Sequence, residues 1–453
     1  MPANSLKKQL RNASPDAIKE GVKNLRSHIS VRRWINPQNR YSKSYQRNPA
    51  NRGNPTEVIA RGRSLYQRQI ENYIAASIFN HCSDGWSLLG RALNLHIKGD
   101  SSSSVHLAYY AELRAAMSIL GSIGVGVFNR THVIVTNTTR RSVTTSSQKG
   151  THKFTWEALE HWADRKPSAE TLSEIITPGS IALSVWLGAF NVNLHPIGRS
   201  WLKSWGIDIK QFGDDQILRN HSSYRPSRIL PKTNAPAPDS LSFLNELWRM
   251  CEPNPSSRFD EIDKHLLRIG LAQSYRAVHG VDPRLPTHLA NYRAWVMKHI
   301  PALGFALPIQ NGWVDFLTWQ TQPNESRIIE EASKVTSTDH PNHHLQVLAR
   351  ATLLLRISTG INGSLIREAG FTKADLEFWW QPYATDYGLI KDGTTIADFL
   401  DLWTDIDAAL QDIKTWENAQ GTTYSYNDLI RGISQQMFSL SECERISLWG
   451  LGI

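Results

Sequence analysis

Apolar positions recur along most of this chain at spacings of three and four, the pattern of helices that each bury one face. Ile59, Leu65, Tyr66, Ile70, Tyr73, Ile74 and Ile78 predict a first helix from about Glu57. Trp86, Leu89, Leu93 and Ile97 predict a second, ending at Gly99-Asp100 and a run of four serines. A third runs from about Val105 to Ser122, with His106, Tyr109, Tyr110, Leu113, Met117 and Leu120 on one stripe. The period then shortens. Val133, Val135, Val143 and Phe154 stand among threonines, which favours extended chain and predicts a β-hairpin over Thr131–Phe154. Helices resume at Trp156–Asp164 and after Thr177-Pro178, where proline suits a first helical position. Another runs through Arg219, with Asp214 or Asp215 as its expected cap.

Four prolines fall within residues 226–240, the strongest break in the pattern. Beyond it, helical segments are predicted at Leu241–Arg249, Ile262–Ser274, Leu345–Ser358 and Ala397–Trp416. The stretches Phe259–Arg268 and Arg350–Arg356 read as amphipathic, with their basic residues on the polar face. Phe378-Trp379-Trp380 reads as core. The expected fold is mainly α: a helical bundle with a small β-hairpin insertion, plus a second helical domain. The expected domains are a basic arm over 1–55, a helical domain over 56–230 and a C-terminal helical domain over 241–453.

Composition agrees with packed helices: 453 residues, 40% of them apolar, with sixteen tryptophans. The three cysteines, Cys82, Cys251 and Cys443, are far apart and form no CxxC pair, so a disulfide framework and a zinc-thiolate site are not expected. No stretch reaches the ~18–20 apolar residues of a membrane helix, and the first residues lack the apolar run of a secretory signal. A cytoplasmic protein without membrane contact is expected.

Charge changes the picture at one end. Residues 1–55 hold twelve Lys and Arg against Asp16 and Glu20, so they carry more than the whole net charge of +9. Lys and Arg displace counterions from phosphate. Arg32, Arg33, Arg40, Lys43 and Arg47, interleaved with Trp34, Tyr41 and Tyr45, are therefore expected to contact RNA or DNA, with the aromatics stacking on bases. The alternative is a solvating tail.

The chain has no Walker A motif, dinucleotide glycine fingerprint, HExxH or GxSxG. Gly213-Asp214-Asp215 reads as a turn or cap. His340, His343 and His344 read as a solvated loop, with a metal site as the minor alternative. His132 is a second candidate for moving protons, a structural histidine being the alternative. Glu112 and Arg114 are expected at the surface.

Two segments stand out together: the helix HLAYYAELRAAMSILGSIG (His106–Gly124) and DDQILRNHSSYRP (Asp214–Pro226). Their double tyrosine, Arg, small residues and closing Gly resemble a long helix of the HEPN superfamily, over roughly residues 57–230. The resemblance implies a small helical bundle of the kind found among ribonucleases of prokaryotic defence and toxin–antitoxin systems. It also implies a site built from two chains, hence a homodimer, and chemistry that uses neither metal nor cofactor. The family signature is an Arg, a polar residue and a His after four to six intervening residues. Arg219-Asn220 matches its first half. At the positions for the His stand Tyr224, Arg225 and Pro226, and His221 comes too early. Metal-independent RNA cleavage needs removal of the 2′-OH proton and stabilisation of phosphate charge. Three readings follow for Arg219, His221 and Tyr224: His221 takes over proton transfer, the segment binds nucleic acid without cutting, or Arg219 and Tyr224 tie helices together. A function of a different class is a non-catalytic scaffold that docks a protein partner through its C-terminal half.

Overall fold

A computed structural model of the chain describes residues 3–29, 33–42, 66–129, 131–136, 142–144, 149–192, 197–224, 236–335, 342–391, 393–394 and 396–452. From the N-terminus, α1 (Ala3–Arg11) and α2 (Pro15–Ile29) precede two long helices, α3 (Gln67–Ile97) and α4 (Ser101–Ser122). The short strands β1 (Val125–Gly126), β2 (Val133–Val135) and β3 (Ser142–Thr144) follow. Next come α5 (Thr151–Ala163), α6 (Lys166–Ile175), α7 (Leu183–Ala189), α8 (Gly198–Ser204) and α9 (Gln211–Tyr224). The second half contains α10 (Ala237–Met250), α11 (Asp260–His279), α12 (Pro286–His299), α13 (Leu307–Leu317), α14 (Arg327–Ser333) and α15 (His343–Glu368). It ends with α16 (Glu377–Asp386), α17 (Asp401–Gln420), α18 (Tyr426–Gly432), α19 (Gln436–Leu440) and α20 (Glu444–Trp449). The fold is mainly α with a small antiparallel hairpin, as the periodicity predicts.

The frame is the α3–α4 hairpin with α15 laid across it. From Gln67 on, the residues predicted as two helices form the single helix α3, with no proline between 67 and 97; the expected start near Glu57 lies outside the described residues. The four serines belong to the first turns of α4. Asp100 caps that helix, its Oδ1 accepting from Ser103 N at 3.0 Å. Most of α15 is buried on every side. A helix without a solvated face reads as apolar all round, and its Arg350 and Arg356 are core residues, contrary to the amphipathic reading. Arg268 on α11 is buried likewise. The predicted hairpin is β2 with β3, in register Val133 to Thr144. It ends before Phe154, which lies inside α5.

The N-terminal residues are not an arm over their described part. Leu6, Leu10, Ile18, Val22 and Leu25 are buried, and α2 packs along α3. Trp34 stacks on Phe79 at 5.2 Å and meets Phe378 and Trp379 edge-on. Tyr41 is buried. Both rings are thus occupied by protein and are not offered to bases. The expected domain boundary separates stretches of chain and not packing units: one apolar core takes in side chains from both halves, and α15 packs on α3, α4 and α6.

Candidate active site at the α4–α5–α9 junction

Helix α4 presents His106 and Tyr110 one turn apart, with Tyr109 and Glu112 on its buried side. Helix α9 presents Asp215, Arg219 and Ser223 at intervals of four, the spacing that aligns side chains on one face. Helix α5 adds His152 and Trp156. Trp156 stacks on Phe212 of α9 at 4.5 Å, and α9 also packs against α4. Three helices thereby converge on Tyr110.

Arg219 is half-buried and its guanidinium carbon sits 4.9 Å from the centre of the Tyr110 ring. One amino group donates to the Tyr110 hydroxyl and the other to Asn220 Oδ1 at 3.0 Å. Among the described residues no carboxylate pairs with it. The His106 ring lies 5.1 Å from Tyr110, and the His152 ring 5.9 Å. His106 Nδ1 is 2.8 Å from Ser223 Oγ, and His152 Nδ1 is 2.7 Å from the Tyr109 hydroxyl, which also accepts from Trp156 Nε1 at 3.2 Å. Burial, then the Arg219 charge, holds both histidines below their ordinary pKa of 6.5, so both rings are neutral at pH 7. Burial raises the Tyr109 phenol. The cluster thus combines one cation without a counter-charge, two neutral imidazoles and two phenols, a set suited to an anionic ligand.

Beneath it lies a buried ionic layer. Asp215, one turn before Arg219, pairs with Arg350 of α15, and Glu112 Oε1 is 3.8 Å from Arg350 Nε. Burial, then the Asp215 charge, holds the Glu112 carboxyl well above the usual carboxylate range. The surface placement expected for Glu112 and the capping role expected for Asp215 are both corrected: an Arg more than a hundred residues downstream draws the pair inside. Arg114 does reach the surface, bonding His81 Nδ1 at 2.8 Å. Alongside the cluster, between α5 and α9, opens a cleft of about 720 Å3 lined by Lys153, Trp156, Lys210, Ile217 and Asn220 among others.

Compared with family models, curated proteins and solved structures, the chain matches none of them.

Of the residues singled out in the sequence, Arg219 and Asn220 belong to the cluster. His221 follows on α9, its side chain without a hydrogen bond among the described residues, and Tyr224 is 79% exposed at the helix end. Neither is brought to the Arg219–Tyr110 contact. Arg33 is exposed away from it, and Arg40 lies over the Tyr66 ring at 3.8 Å. Arg32, Lys43 and Arg47 fall outside the described residues. His132 is structural: it is buried, stacks on Phe154 at 3.7 Å, accepts from Phe128 N at 3.2 Å and bonds the Lys149 carbonyl at 2.8 Å. His343 and His344 begin α15 and are buried instead of forming a loop, His344 bonding His96 at 2.9 Å. His340 lies outside the described residues. Among the described residues no group of three or more His, Cys, Asp or Glu is placed to hold a metal.

Reading the sequence misses His152, because extending the hairpin to Phe154 hides it in a strand. His106 stands on the recognised α4 stripe, one turn from Tyr110, and that spacing is the signal that pairs them.

Proposed function

We propose that the α4–α5–α9 junction binds the phosphates of a nucleic acid and that the chain is a metal-independent ribonuclease of the defence type. The observation that carries this reading is Arg219: a half-buried guanidinium with no carboxylate partner among the described residues, flanked by two neutral imidazoles. Such a charge is stabilised by an anion that brings its own hydrogen-bond acceptors. The cleft beside it is lined by Lys149, Lys153 and Lys210 as well as Glu157 and Glu160; Lys153 and Lys210 are exposed on its rim, where neighbouring phosphates of one strand would lie. The likeness of Arg219-Asn220 to the HEPN signature supports the reading, with the proton chemistry moved from the signature's His to histidines on α4 and α5.

The test is direct. Labelled single-stranded RNA and DNA should bind the purified chain with an affinity that falls as salt rises, and Arg219→Ala should weaken binding and make the salt slope shallower by about one. RNA should be cut in the presence of EDTA. Equal binding by the wild type and Arg219→Ala would remove this site from consideration.

A second reading, a scaffold that docks a protein partner or a second copy of itself, is favoured by one feature. Leu285, Met297, Leu307 and Ile309 on or beside α12 and α13 are each more than half exposed, more apolar surface than a solvated helix pair requires. Light scattering on Leu307→Asp and Ile309→Asp variants tests self-association through this face.

A further inference from the structure

We propose that the two histidines of this junction hold opposite tautomers and divide the chemistry, His106 accepting a proton through Nε2 and His152 donating a hydrogen bond through Nε2–H. The inference rests on the reading of the junction as a phosphodiester site, and its own argument comes from which neighbour can donate and which can only accept.

For His106 the deciding neighbour is Ser223. Its Oγ lies 2.8 Å from the Arg219 carbonyl and 2.8 Å from His106 Nδ1. A carbonyl only accepts. If the serine proton pointed to His106, two oxygens would face each other at 2.8 Å with no proton between them. With the proton on the carbonyl, Ser223 accepts from Nδ1–H and both contacts are hydrogen bonds. His106 therefore carries its proton on Nδ1, and Nε2 keeps its lone pair. For His152 the deciding neighbours are Tyr109 and Trp156. An indole N–H only donates, and Trp156 donates to the Tyr109 oxygen. The phenol is fully buried, and its single proton has one acceptor among the described residues, His152 Nδ1 at 2.7 Å. Leaving a buried hydroxyl proton without an acceptor is costly. His152 Nδ1 therefore accepts, and its proton resides on Nε2. Neither Nε2 bonds any described residue, so the hydrogen bonds within the junction leave both for a ligand bound at Arg219.

These states assign proton transfer to His106 and hydrogen-bond donation to His152. With an RNA phosphate on Arg219, His106 Nε2 takes the 2′-hydroxyl proton as the 2′ oxygen attacks phosphorus. The O2′–P bond forms, the P–O5′ bond breaks, and the proton passes from His106 to the departing 5′ oxygen. The products are a 2′,3′-cyclic phosphate and a 5′-hydroxyl, and no water, metal or oxidant is consumed. His152 Nε2–H and the Arg219 guanidinium meanwhile donate to the non-bridging oxygens as their charge grows.

Nitrogen-15 NMR of the histidine-labelled full-length protein at pH 7.5 reads the tautomers directly, with peaks assigned by His106→Gln and His152→Gln. The expected result is Nδ1–H for His106 and Nε2–H for His152; the reverse at either ring overturns the proposal. The second arm is cleavage of labelled single-stranded RNA. A glutamine amide can stand in for an Nε2–H donor and cannot act as a base. His106→Gln should therefore lower the rate about a hundredfold or more while RNA binding persists. His152→Gln should run at least tenfold faster than His152→Ala. Full activity in His106→Gln overturns the base assignment. Binding of RNA by the wild type without any cleavage also overturns it and leaves the phosphate-binding reading standing, whereas failure to bind either nucleic acid overturns both.

Discussion

Arg350 on α15 grips Asp215 on α9 through two hydrogen bonds, Nε to Oδ2 at 3.0 Å and Nη2 to Oδ1 at 2.7 Å, with both side chains fully buried. The pair joins the two halves of the chain one turn below Arg219 and ties α9 to α15. Removing one partner strands a buried charge, so Arg350→Met should cost about 3–5 kcal/mol in urea unfolding at pH 7. The double variant Asp215→Leu/Arg350→Met should cost clearly less than the sum of the single ones. Strictly additive losses would show that the two side chains act independently. Glu112→Gln, which resembles the protonated acid, should stay near wild-type stability.

Acid should weaken the fold through His96. Its ring is buried between α3, α10 and α15, with Nδ1 2.9 Å from His344 Nε2 and Nε2 3.2 Å from the Ser240 carbonyl. Burial lowers its pKa from 6.5 to about 4, the Ser240 carbonyl opposing and Arg327 adding to the shift. His344 is pushed down as well, by burial and then by His96. The unfolded chain takes up a proton near 6.5 and the folded chain does not. The contribution is therefore complete above pH 6.5 and falls away as pH drops toward 4, by about 3 kcal/mol for His96 alone. Urea midpoints at pH 7.5, 6.0 and 5.0 measure this, and a flat profile would contradict it.

Periodicity is clearest in α3, where exposed Arg68, Asn80, Asp84 and Arg91 stand among buried apolar positions. It failed where that contrast vanishes. The buried α15 carries Arg350 and Arg356 inside, the latter held by Asp263 at 2.9 and 2.7 Å, and local pattern cannot distinguish such an arginine from a solvated one. Arg219 was legible because a motif pointed to it. Its neighbours His106 and His152 come from helices 113 and 67 residues away in sequence, and only packing brings them to Tyr110. Excess charge does not mark a detached arm over α1 and α2, where Lys7, Lys8 and Arg11 occupy the outer face of a helix whose inner face completes the core.

The N-terminal helices should behave as core and not as a tail. Ile18 on α2 is fully buried, so Ile18→Ala should cost about 2–5 kcal/mol. Lys8→Ala and Arg11→Ala, at exposed positions, should stay within about 0.5 kcal/mol of wild type. Thermal melts of the three variants decide the matter: an Ile18→Ala protein as stable as the other two would restore the tail reading.

Gly90 reports how closely the C-terminal residues sit against the frame. A Cβ there would meet the Ser441 carbonyl oxygen at 2.0 Å and the Cys443 nitrogen at 3.0 Å. Both are backbone atoms, so no side-chain rotation relieves the clash. Gly90→Ala must push the segment before α20 off α3 and should cost at least about 1–3 kcal/mol. Gly312, within α13, is the control: a Cβ there has nothing within 4 Å, and Gly312→Ala should gain up to about 1 kcal/mol by stiffening the unfolded chain and favouring the helix. Urea unfolding of both variants gives the comparison. A Gly90→Ala protein as stable as Gly312→Ala would mean that the 441–443 backbone does not rest on α3, and that the C-terminal helices are held by their apolar contacts alone.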